Sequence, residues 1–160
     1  MSAVAVTSEW LPVSVADWRL LGLRDRHYAG GIGGKTAGAP GKRIAFVTFE
    51  GTAGWISYYQ RPEEVDHDFG CGYLCSMFRN EGAGLASELI ESAIRLTELR
   101  WGAHPEGWLT FVNVDAVRPK RNPGYCFLMA GFVPVGYTRE RHYLALRRFP
   151  AGLSPSGNTQ

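Results

Sequence analysis

The chain of 160 residues is short of cysteine, of net charge and of long apolar runs. Its three cysteines, Cys71, Cys75 and Cys126, are odd in number and follow no framework spacing. That argues against a disulfide scaffold, fits a reducing compartment and leaves small buried hydrophobes as their expected role. No His/Cys cluster has zinc-finger spacing, and His67 inside the acidic run 63–68 has no further ligand at useful spacing, so no metal site is expected. A net charge of +2 does not demand a polyanionic partner, although a local basic patch counts for more than the total. No apolar stretch approaches the roughly 18 residues of a membrane span. The opening "MSAVAVTSEWLPVSV" lacks a basic stretch followed by a continuous apolar one, so no secretion signal is read. The expected location is the cytoplasm, with no membrane association.

What is present is a composition of 45% hydrophobic and 20% charged residues, the range of one folded domain. Residues 1–13 read as a loose arm or an initial strand. Val15, Trp18, Leu20, Leu21 and Leu23 form an apolar stripe, so a helix is expected from Val15 to about Tyr28, with Ser14 as its cap. The glycine-rich stretch 29–42 is a loop. Strands are expected over 43–51, 52–60, 71–78 and 107–114, with a polar connection over 61–70. A long helix begins near Gly84, carries Leu85, Leu89, Ala93, Leu96 and Leu99 near helical spacing, and stops at Gly102. A short helix over 122–131, capped by Asn122 and opened by Pro123, precedes a hairpin of 132–138 and 141–149. The order predicts one α/β domain over 1–150 with a mixed, mostly antiparallel sheet flanked by helices, and a disordered tail over 151–160.

Two glycine-rich stretches compete as anion sites. "HYAGGIGGKTAG" (27–38) contains the tail of a phosphate loop, but Ala29 stands where that loop needs glycine. The stretch also follows a helix and runs into "APGK", whereas a phosphate loop must join a strand to a helix so that its amides converge. It reads instead as a flexible flap beside His27 and Tyr28. "FRNEGAGLASELI" (78–90) does join a strand to a helix. Its glycines admit close approach of a ligand to the backbone, and the new helix offers unpaired N–H groups, which suits a pyrophosphate. The candidate donor-site residues are Phe78, Arg79, Asn80, Gly82, Ala83, Gly84 and Leu85. A tight turn without a ligand is the plainer alternative.

Arg79-x-x-Gly82-x-Gly84 resembles the Q/R-x-x-G-x-G/A signature of the GNAT acyltransferase superfamily, and the element order over 15–148 is similar to that family's. The resemblance implies a central sheet split by a cofactor cleft, and acetyl-CoA or a related acyl-CoA as donor, its pyrophosphate on the amides of this turn. "NPGYCFLMAGFVPVG" (122–136) is similar to a later motif of that family. Many of its enzymes carry a proton-donating tyrosine five residues before the aromatic of the "GF" pair. Here that position holds Phe127, so either Tyr125 or another group takes the role, or the chemistry differs.

A narrower resemblance is to phage Mom-type proteins, GNAT-like enzymes that modify adenine N6 in DNA. It rests on His27-Tyr28, "CSMFRNE", "LTFVNVD" and "LMAGF" in that order. It implies His27, Tyr28, Asn113, Asp115 and Tyr125 as candidate catalytic residues, with Asp115 replacing a carboxylate expected at Asn113. The basic set Lys35, Lys42, Arg43, Arg118, Lys120 and Arg121 falls in two loops, and Lys35, Arg118 and Arg121 are candidate DNA contacts. The expected function is a GNAT-fold group transferase acting on an exocyclic amine of adenine, which requires a flipped base. The competing readings are an acetyl-CoA-dependent N-acetyltransferase for a small-molecule or protein amine, and a GNAT-derived binding protein without catalysis. A His at a helix end, a strand-end turn at Asn113–Asp115 and solvated loop charges are the plainer alternatives for these residues.

Overall fold

The computed structural model describes residues 10–27, 34–65, 67–115 and 124–151. Strands β1 (Leu11–Val13), β2 (Arg43–Val47), β3 (Ala53–Tyr59), β4 (Tyr73–Asn80), β5 (Trp108–Val112), β6 (Val133–Tyr137) and β7 (Leu144–Arg148) form one sheet. Its order is β1-β2-β3-β4-β5-β7-β6. Every neighbouring pair is antiparallel except β4 and β5, which are parallel. Helices α1 (Trp18–Asp25), α2 (Ala86–Trp101) and α3 (Tyr125–Met129) complete the order. The mixed α/β architecture with a mostly antiparallel sheet thus stands.

Side-chain alternation divides the sheet between two cores. Ile44, Phe46, Trp55, Tyr73, Cys75, Trp108 and Val112 face α2 and pack with its Leu89, Ile90, Ala93 and Ile94. Ala45, Val47, Ile56 and Met77 face the other way and pack with Leu20 and Leu23 of α1. Both leucines are 0% exposed. Each contributes roughly 1.5–3 kcal/mol, and an eight-residue helix would not persist in water without such burial. A chain of hydrogen bonds fixes α2 on β3. Trp55 Nε1 donates to Ser57 Oγ (2.7 Å), Ser57 Oγ lies 2.8 Å from Thr97 Oγ1, and Thr97 Oγ1 donates to the Ala93 carbonyl (2.9 Å).

Several expected bounds change for local reasons. Asp17, not Ser14, caps α1, its carboxylate accepting from the Arg19 amide at 2.9 Å. Ser14 instead closes the preceding turn through its carbonyl to Asp17 N (2.9 Å). Trp18 is 78% exposed, outside the stripe assigned to it. On α2 the buried face is Leu89, Ile90, Ala93, Ile94 and Thr97, while Leu85 and Leu99 face solvent; Gly102 ends the helix as expected. Helix α3 spans only five residues after Gly124, and its expected openers Asn122 and Pro123 lie outside the described residues, as does the tail from residue 152. Strand β4 runs on to Asn80, two residues beyond the expected end, and β5 stops at Val112, two residues short.

Candidate functional site

The site begins with one surplus residue. Along β3 and β4, Ile56 pairs with Met77 and Ser57 with Cys75, so Ser76 has no partner and forms a β-bulge. A bulge bends its strand and increases its twist. Pairing between β4 and β5 covers only Tyr73–Cys75 against Trp108–Thr110 and ends at that bulge. Beyond it, β4 stays with β3 and β5 stays with β7, so the two central strands part toward their C-terminal ends. The Thr110 hydroxyl donates to the Cys75 carbonyl (3.0 Å) at the last shared rung.

The free edge of β4 can be assigned. The Glu81 amide donates to Thr52 O, which makes 52/81, 54/79 and 56/77 the hydrogen-bonded pairs of the antiparallel ladder. The backbone N–H and C=O groups of Phe78 and Asn80 therefore point away from β3, into the gap. At that edge sits His27, immediately after α1. Its imidazole bonds the Phe78 backbone, in the sense that favours the protonated ring, so the ring N–H donates to the carbonyl. Burial, and next the charge of Arg79, nevertheless hold its pKa down at about 4. His27 is a neutral imidazole at pH 7.

The glycine turn lies at the open end of the gap. Asn80 Oδ1 accepts from the amides of Gly82 (3.2 Å) and Ala83 (2.8 Å), and Asn80 Nδ2 donates to the Gly84 carbonyl (2.8 Å). Two of the amides assigned to an anion are thus held by the chain's own side chain. The amides of Gly84, Leu85, Ala86 and Ser87 have no acceptor among the described residues. Gly82 and Gly84 take φ of 104° and 149°, and a Cβ on either would meet nothing within 4 Å. Backbone conformation, not crowding, requires glycine there, and the space before the turn is open. Arg79 is not unengaged beside that space: its Nε donates to Glu81 Oε2 (2.5 Å), and Arg26 grips the same carboxylate through Nε (2.7 Å) and Nη2 (3.0 Å). The two guanidinium groups hold the Glu81 carboxyl down at about 2.

The remaining predicted residues divide. Phe127 is 7% exposed and stacks edge-on against Phe78 (6.0 Å) and Phe132 (5.2 Å), closing the gap from the α2 side with a ring that carries no proton to give. Tyr125 is 47% exposed on α3. Asn113 and Asp115 do not share a strand face, because β5 ends before them. Asn113 Oδ1 accepts from the Asp115 amide (3.1 Å), and the exposed Asp115 sits in that turn. Lys35 is exposed. Lys42 stacks on Tyr59 and Trp101 (4.4 and 5.5 Å to the ring centres), and Arg43 binds the carbonyls of Ala37, Gly38 and Ala39. Those two cations serve the structure of the loop and β3. Tyr28, Arg118, Lys120 and Arg121 lie outside the described residues.

A cavity of about 630 Å³ opens on the sheet face opposite α2, where α1 does not reach. Leu74, Cys75 and Ser76 of β4, Phe111 of β5 and the segments 67–69 and 138–143 line it. It meets the gap at the bulge. This cavity, Ser76, Glu81 and Arg26 are not among the site residues expected from the sequence. Tyr73, Leu74, Cys75, Met77 and Phe78 are all apolar, so the sequence of β4 shows no alternation that could betray the bulge, and nothing marks Arg26 either. Among the described residues no three His, Cys, Asp or Glu side chains converge as a metal site, and no helix is long and apolar enough to cross a membrane.

Comparison of the chain with protein-family models, with curated proteins and with solved structures finds no match.

Proposed function

We propose that the protein is a GNAT-fold group transferase that takes an acyl or related group from a CoA-type donor and delivers it to an exocyclic amine of adenine in DNA. The observation that carries this reading is the bulge at Ser76, which parts two parallel strands and leaves a glycine turn and a helix N-terminus at the open end. The residues fit such a donor. The amides of 84–87 and the Arg79–Arg26 pair favour pyrophosphate, and rotation of Asn80 would release two further amides. The unpaired edge at Phe78 and Asn80 offers a carbonyl and amides to the amide groups of a pantetheine arm. When bound, the donor supplies an activated thioester to the point where the strands part.

The state of His27 bears on the acceptor. A lysine-like amine is an ammonium with a pKa of about 10.4, and a group held near 4 cannot take its proton. The exocyclic amine of a base is already neutral, and its proton becomes acidic only as the new bond forms, so a weak base suffices. Phe127 cannot protonate the departing thiolate, and that proton must come from elsewhere. A second reading, an acetyl-CoA-dependent N-acetyltransferase for a small amine, is favoured by a cavity of about 630 Å³, which is of small-molecule size.

Thermal shift with acetyl-CoA tests the donor site: an increase in Tm is expected, and none at saturating concentration sinks the reading. Mass spectrometry of nucleosides from DNA of cells expressing the protein separates the acceptors. Modified deoxyadenosine is expected; unmodified deoxyadenosine throughout leaves the small-amine reading.

A further inference from the structure

The cavity at the bulge has a chemistry of its own. One part of its wall is aromatic: His67 and Phe111 lie edge to face at 5.1 Å, and Phe69 stands 6.1 Å from Phe111. Tyr143 adds a further ring from the β6–β7 connection. These walls are held. Arg147, itself 7% exposed, donates to the carbonyls of Phe69, Cys71 and Glu106, tying the segment that carries His67 and Phe69 to β7. His67 Nδ1 accepts from the Phe69 amide (3.1 Å), so the ring hydrogen lies on Nε2 and donates to the side-chain amide of the buried Gln60, 3.1 Å away, turned so that its otherwise unpaired Oε1 accepts. Both ring nitrogens are thereby engaged, and His67 is a wall rather than a base.

The rim carries two arginines and two carboxylates, Arg139 and Arg141 against Asp68 and Glu140, with Arg139 paired to Asp68 at 3.0 Å. Their charges cancel, which removes any bias toward a polycation or a polyanion. At the bulge the Ser76 hydroxyl is shielded from solvent and has no hydrogen-bond partner. A buried hydroxyl left unpaired is costly, and a ligand that pairs it recovers that cost.

We infer that this cavity is the acceptor site and takes a planar, uncharged heteroaromatic amine, a nucleobase, whose ring lies against Phe69, Phe111 and Tyr143 and whose polar edge bonds Ser76 Oγ. The inference rests on the group-transfer reading for the word acceptor, and it deepens that reading. About 630 Å³ lies within the range of small-molecule sites, which runs from roughly 300 to 1,000 Å³. A purely apolar ring would fill the aromatic wall and leave Ser76 unpaired; an aliphatic polyamine could donate to Ser76 but has no planar face to lay against the rings. Because the cavity meets the gap at Ser76, the amine of a base bound this way faces the end of the free β4 edge.

Ligand-observed NMR and calorimetry with the full chain test it, using adenosine, a short adenine-containing single-stranded oligodeoxynucleotide and spermidine as probes. Adenosine and the oligonucleotide should bind and spermidine should not. Tighter binding of the oligonucleotide than of adenosine assigns the base to a strand; equal binding assigns it to free nucleosides. Ser76→Ala should keep or raise the wild-type Tm, since its buried hydroxyl bonds nothing in the protein, and weaken adenosine by about tenfold. Phe111→Leu should weaken it as well. Failure of adenosine and oligonucleotide to bind the wild type at millimolar concentration, or an unchanged affinity in Ser76→Ala, overturns the inference. Neither measurement contains a CoA donor, so a cavity that binds no base leaves the donor-site test standing, and the reverse holds too.

Discussion

Thr110 Oγ1 donates to the Cys75 carbonyl at 3.0 Å, on the last rung that the two central strands share. The bond crosses from one half of the sheet to the other where ladder bonding stops. It satisfies a carbonyl next to the bulge that would otherwise be buried beside a gap. Thr110→Val keeps the shape and removes the donor. Stability should fall by about 1–3 kcal/mol, seen as a lower urea midpoint at unchanged slope. An unchanged midpoint would mean that the carbonyl has found water.

Helix α1 is seated against bare backbone. A Cβ at Gly54 would stand 2.9 Å from Leu23 Cδ1 and 3.2 Å from Leu20 Cδ1. Gly54→Ala should cost roughly 1–3 kcal/mol by overpacking. It should also push out α1, which His27 follows, so the His27 ring resonances should shift in NMR spectra while those of His104 stay in place.

The Glu81 carboxyl titrates at about 2 in the folded protein against 4.5 unfolded. A depressed carboxyl stabilises the fold above the unfolded value and loses that contribution as pH falls from 4.5 toward 2. The pairs are partly exposed, so the loss should be no more than about 1 kcal/mol. In Glu81→Gln that decline should flatten, as read by denaturant midpoints across the window.

His27 makes the complementary statement. Its folded pKa of about 4 lies below the unfolded 6.5, so the unfolded chain takes up its proton first as pH falls. Stability present above pH 6.5 should decline between 6.5 and 4, with no further contribution from this group below that. An NMR titration should show His27 neutral down to pH 5. A midpoint near 6.5 would show that the ring is solvated and is as strong a base as any exposed imidazole.

The element order was legible because hydrophobic periodicity and glycine punctuation report it directly. Strand, turn and helix at 73–101 and the hairpin at 133–148 fall where alternation and spacing place them, within two or three residues. The glycine turn was also legible, since Gly82 and Gly84 adopt conformations that other residues avoid. What that turn does in the absence of a ligand was not. Asn80 and Glu81 read as spacers in "RNEGAG", yet one occupies two amides and the other, bound to its neighbour Arg79, also holds Arg26 across 55 positions of sequence. Trp18 failed for a related reason. Helical periodicity shows that a face is apolar but not how wide a surface the sheet offers it, and α1 covers β2–β4 with two leucines. Asn113 and Asp115 depended on where β5 stops, and strand ends are set by the partner strand rather than by local sequence.

The extra residue in β4 changes what each half of the strand can be. Before Ser76, odd-numbered Tyr73 and Cys75 look toward α2; after it, Phe78 does, and odd-numbered Met77 looks toward α1. Zipping β4 onto β5 would therefore require more than closing a gap. Every side chain beyond residue 75 would have to change sides, trading one core for the other. The cleft is a matter of counting, an odd stitch knitted into the chain, and no fluctuation of the folded protein can drop it.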